Sequence, residues 1–132
     1  MGAGVAIPGF FEKRELIHAA EPAALRAQAK RLLESGILEG ALESFQRAGD
    51  AAGAAEVAEA ARAAGDAFAY EAALKALARA AAPAEWVAVG ETALAAGMLS
   101  FAYRAFEKAD SQDGLERTRR QMSEAGITPE QR

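Results

Sequence analysis

With 132 residues, 15 Lys and Arg against 19 Asp and Glu, and a net charge of −4, the chain suits one modest domain and makes a poor general binder of phosphate backbones. The absence of cysteine excludes disulfides and thiolate metal sites, and the single histidine, His18, makes no histidine cluster. Hydrophobic residues reach 52%, yet 37 of the 132 residues are alanine, which favours helix but buries little area, so the expected core is thin and runs along helix seams.

The opening residues 1–9 read as a flexible segment. They carry no basic stretch ahead of a continuous apolar run, and Pro8-Gly9 interrupts them, so they make a poor secretion signal. Ala6 stands where a myristoylation motif wants Ser or Thr. No apolar run approaches the roughly 18 to 20 residues of a membrane-spanning helix, and a cytoplasmic protein is the expectation.

From Phe10 to Ala20 a short helix is predicted, with Phe10 and Ile17 on one face and Phe11 and His18 on another. Pro22 closes that segment and opens the next helix, which runs to Ser35 on the spacing of Leu25, Ala29, Leu32 and Leu33 and stops at Gly36. The second helix of this pair, about Ile37 to Ala48, puts Leu38, Ala41, Leu42 and Phe45 on one side. Gly49-Asp50 supplies a stop and a new N-cap. The cycle repeats with Ala51 to Ala64, the stop and cap Gly65-Asp66, and a helix predicted over Ala67 to Ala81. Pro83 opens a third pair, with Trp86, Val87, Val89, Ala93 and Leu94 before Gly97, then Leu99, Ala102, Tyr103 and Phe106. Ser111 or Asp113 caps a last helix through Leu115 and Met122 to Gly126, and residues 127–132 form a polar tail.

Two stretches share one pattern, Gly-x-Leu-x-x-Ala-x-x-x-Phe-x-x-Ala: Gly36, Leu38, Ala41, Phe45 and Ala48, and again Gly97, Leu99, Ala102, Phe106 and Ala109, 61 residues later. A looser copy follows Gly65, with Tyr70, Leu74 and Leu77 at the positions of Ala41, Phe45 and Ala48. Such self-similarity marks stacked supersecondary units. The alanine lets two helices meet, and the ring one turn later fills the space toward the next unit.

On Ala41/Phe45 and Ala102/Phe106, with Trp86 as the first-helix aromatic and Pro83 near the inter-repeat proline, the chain resembles a tetratricopeptide-type repeat over about residues 22–126. It departs in its glycine spacings of 29, 32 and 29 residues and in the glycines, Gly53 and Gly114, near the repeat-proline position. The resemblance implies an all-α solenoid of about three antiparallel helix pairs, flanked by an N-terminal helix and a C-terminal capping helix, as one domain over residues 10–126. It also implies a concave groove, lined by the first helix of each pair, that holds a peptide or a segment of another protein. The groove positions would be Arg26, Lys30, Leu33 and Glu34, then Ala55, Glu59 and Arg62, then Val87, Glu91 and Leu94, with Glu116 and Arg120 on the capping helix. The basic clamp by which some members hold a chain-terminal carboxylate is not reproduced, since Glu56, Ala84 and Ala88 occupy its places.

The expected function is a non-catalytic protein–protein adaptor with no cofactor and no metal. A structural subunit that self-associates through Phe10 and Phe11 or through the solenoid ends is the alternative, and an RNA contact through Arg117, Arg119 and Arg120 a third reading. Each charged residue also has a plainer use as a solvated helix face. Pairs such as Glu56 and Glu59, or Glu39 and Glu43, have no nearby histidine or nucleophile motif to work with.

Overall fold

The structure, a computed structural model, describes the backbone of residues 8–127 and the side chains of residues 21–127. Among them the chain is all-helical, without strands: α1 Pro8–Glu34, α2 Leu38–Arg47, α3 Ala51–Ala64, α4 Ala67–Ala76, α5 Pro83–Ala95, α6 Leu99–Ala109 and α7 Gln112–Glu124. The side chains of Phe10, Phe11 and His18, and the tail from residue 128, lie outside the described residues. No described helix is long and apolar enough to cross a membrane.

Two boundaries differ from those predicted. The N-terminal region is one helix with Pro22 inside it, not two helices parted there. Proline removes one amide donor and crowds the preceding turn, but Ala19-Ala20 and Ala23-Ala24 on either side are the strongest helix formers and carry the helix through. In the other case, α4 stops at Ala76 rather than Ala81. Pro83 forces its predecessor to be extended, and Ala82 sits at φ −68°, ψ 154°; residues 77–82 accordingly leave the helix.

One kind of turn ends the helices. After α1 the Ile37 amide donates to the Leu32 carbonyl at 2.9 Å and the Gly36 amide to Leu33 at 3.0 Å, a Schellman arrangement in which the residue after the cap is left-handed. The same pair of bonds follows α5, from Met98 to Ala93 at 2.9 Å and from Gly97 to Leu94 at 3.1 Å. Gly36 and Gly97 supply φ of 79° and 76°. After α4 and α6 the left-handed residue is instead Ala78 at φ 53° and Asp110 at φ 54°. Three helix starts are capped by side chains, those of α3, α4 and α7: the Gly53 amide donates to Asp50 at 3.0 Å, the Ala69 amide to Asp66 at 3.0 Å, and the Gly114 amide to Ser111 at 3.1 Å. Of the two candidates for the last cap, Ser111 fills it.

The chain divides into two compact units, Met1–Ala54 and Ala55–Arg132. In the first, α1 packs on α2, with Leu25, Ala29, Leu38, Ala41 and Leu42 buried and the Phe45 ring 1% exposed. That ring lies against Gly53, where a Cβ would stand 2.1 Å from it. In the second, α5 packs on α6, α6 on α7, and α4 on α6. Ala93, Leu94, Ala102, Tyr103, Phe106, Leu115 and Met122 form its core. Phe106 is wedged between two glycines: a Cβ on Gly90 of α5 would come within 2.7 Å of the ring, and one on Gly114 of α7 within 2.1 Å. The recurrent ring is therefore matched eight residues on by a glycine, Gly53 or Gly114, that makes room for it. Thr118 satisfies its buried hydroxyl by donating to the Gly114 carbonyl at 2.8 Å. No buried side-chain nitrogen or oxygen among the described residues lacks a partner.

Candidate functional site

The residues expected to face a groove come to rest in different settings. In the first unit Arg26 and Lys30 are exposed on α1 and Leu33 is half-buried; the Arg26 guanidinium reaches Asp50 at 3.4 Å, tying α1 to the residue that caps α3. In the second unit Glu59 and Arg62, one turn apart on α3, pair at 2.7 Å. That hydrogen bond holds the Glu59 carboxyl below its usual range. Val87 is half-buried against the core. Leu94, 7% exposed, is part of that core, so its side chain is spent inside the unit. Arg120 stands exposed on α7.

Glu91 of α5 and Arg117 of α7 form a bidentate ion pair across the two helices, and Arg117 also reaches Asp113 at 3.0 Å. Glu91 raises the guanidinium pKa first, with Asp113 adding to it. Arg117 lies 5.6 Å from the centre of the Phe106 ring. Arg119 leans over Tyr103, with its Nη2 3.4 Å from the hydroxyl and its guanidinium 5.7 Å from the ring centre. Two of the three arginines of the expected RNA contact, Arg117 and Arg119, are thus engaged within the fold, and of the three only Arg120 stands clear of such contacts among the described residues.

A recess of about 380 Å³ opens elsewhere in the second unit, lined by Glu71, Leu74 and Lys75 of α4, Arg79, Ala80 and Ala81 of the connection, Trp86 of α5 and Lys108 of α6. Because α4 stops at Ala76, residues 77–82 form a connection that contributes Arg79, Ala80 and Ala81 to its lining. Trp86, 4% exposed, meets Tyr70 edge-on with ring centres 5.0 Å apart, and burial raises the Tyr70 pKa. Lys108 lies 5.8 Å from the Trp86 ring centre, a cation over an aromatic face. Glu71 takes two bonds from Arg104, at 3.0 and 2.8 Å, and lies 3.4 Å from Lys108. Arg104's hydrogen bonds hold its carboxyl below the usual range against partial desolvation.

Apart from Trp86, read as the first-helix aromatic, and Leu74, read as the counterpart of Phe45 in the looser repeat, these lining residues escaped the sequence reading. The available signal was the run Ala78-Arg79-Ala80-Ala81-Ala82 before Pro83, where every other turn but the one at Asp110 carries glycine. Among the described residues no group of three or more His, Asp or Glu side chains is placed to hold a metal ion. Comparison with protein-family models, with curated proteins and with solved structures finds no match.

Proposed function

We propose that this chain is a non-catalytic adaptor of tetratricopeptide-like design, an α-solenoid of about three helix pairs that holds a segment of a partner protein on the exposed faces of its first helices. The observation that supports this reading is the recurrence of one packing unit, Phe45 on Gly53 and Phe106 on Gly114, since a repeated joint is what stacks helix pairs into a binding surface. The second unit lends further support: the Glu91–Arg117 ion pair joins α5 to α7, the helix in the capping position.

Screening a display library of about 12-residue random peptides against the immobilised protein tests the proposal. Enrichment of a shared motif, with binding lowered by Lys30→Glu or Glu59→Lys, is the expected result; no enrichment removes the adaptor reading. A second reading, self-association, is favoured by the exposed ring of Phe68 on α4 (39% exposed), which meets the half-buried Phe101 of α6 with ring centres 5.6 Å apart. Light scattering separates the two: mass that grows with concentration and falls back in Phe68→Ser supports an oligomer.

A further inference from the structure

The recess beneath the α4–α5 connection has a chemistry of its own. Its lining carries three cations, Lys75, Arg79 and Lys108, against one carboxylate, Glu71. That carboxylate is already held by Arg104 and by Lys108. Two further carboxylates beyond the lining are also committed, Glu59 to Arg62 and Glu85 to the Ala82 amide at 2.9 Å. Lys75 and Arg79 are exposed, and among the described residues neither belongs to an ion pair within 4.0 Å. The amides of Ala80 and Ala81, in the same lining, donate to no protein acceptor among the described residues. The recess thus sets Leu74 and Trp86, each 4% exposed, beside two cations that belong to no ion pair among the described residues.

We propose that this recess is an anchor site for an acidic internal segment of a partner, one apolar side chain lying against Leu74 and Trp86 and flanking carboxylates meeting Lys75 and Arg79. The inference rests on the adaptor reading for the kind of ligand, but it stands apart from the first-helix faces in its residues. Apolar contact fixes the segment in a recess of this size, and the cations select for acid over neutral residues. Immediately before Arg79, Ala78 is left-handed at φ 53°, an alanine in a conformation that costs free energy.

Trp86 is the single tryptophan of the chain, so occupancy is read directly from its emission. The probe is acetyl-Glu-Glu-Leu-Glu-Glu-amide, blocked at both ends, with its all-Gln counterpart as control. Saturable change in Trp86 emission is expected for the acidic peptide. About tenfold or weaker binding is expected for the Gln peptide and for the exposed double variant Lys75→Gln/Arg79→Gln, with Lys30→Glu unchanged. Equal binding of the two peptides, indifference to the double variant, or no saturable change each overturns the proposal. The two readings fail separately. Library enrichment without an acidic preference at Trp86 removes the anchor alone, whereas a Trp86 response to the acidic probe without library enrichment keeps the anchor and removes the broader adaptor role.

Discussion

At the scale of single residues, stability is concentrated where rings meet glycines. Adding a methyl at Gly114 or Gly53 drives it to 2.1 Å from Phe106 or Phe45, and neither ring can retreat from a position in which it is buried on all sides. Gly114→Ala and Gly53→Ala are each expected to cost about 1–3 kcal/mol in chemical denaturation. Phe106→Ala leaves a cavity between three helices and is expected to cost about 3–5 kcal/mol. Ala78 makes the opposite case: at φ 53° its side chain is the misfit, so Ala78→Gly is expected to stabilise by about 0.5–1 kcal/mol. These positions differ in how far the sequence revealed them. Phe45 and Phe106 stood out through their repeated spacing, but the role of Gly53 and Gly114 did not, because a glycine inside a helix gives no sign of which ring will fill its vacancy. Leu94 was assigned to the groove from register alone, and packing drew it into the core.

At the scale of the element, helix ends were the most legible feature, since Gly36, Gly65 and Gly97 announce a left-handed stop and Asp50, Asp66 and Ser111 an N-cap. The two misplaced boundaries both involve proline. Pro22 is carried within α1 and Pro83 shortens α4, because the one is surrounded by alanines that hold the helix together and the other follows an alanine forced into an extended conformation. If α1 is continuous, Pro22→Ala restores an amide donor and is expected to raise helical circular dichroism and stabilise by roughly 1–3 kcal/mol. No gain in either signal would place a break at Pro22. Between α4 and α6, Glu71 is held by Arg104 with its folded pKa below the unfolded value. Its contribution to stability is therefore present above the unfolded pKa of about 4.3 and is lost as pH falls through the lower folded value. Glu71→Gln is expected to flatten the acid limb of the stability curve below about pH 4, with little change in its shape near neutrality. Partial exposure of the pair keeps the effect small.

At the scale of the molecule, the sequence made the helical class and the repeated joint legible because both rest on local spacing. The recess at Trp86 was not legible, since it depends on where α4 ends and on which side chains three separate elements bring together. The charged faces were visible as residues, and Glu59 with Arg62 one turn on was legible as a pair within one helix, but Glu91 with Arg117 is a pair that only the packing of α5 against α7 defines. The central claim is that these faces hold a partner segment. It is tested most directly by mapping, in the nuclear magnetic resonance spectrum of the isotope-labelled protein, which amides shift when a library-enriched peptide is titrated. The account predicts saturable shifts at Lys30, Arg62, Val87, Glu91 or Arg120. Shifts confined to Glu43, Gln46 and Glu107 on the second helices, or none that saturate, would contradict it.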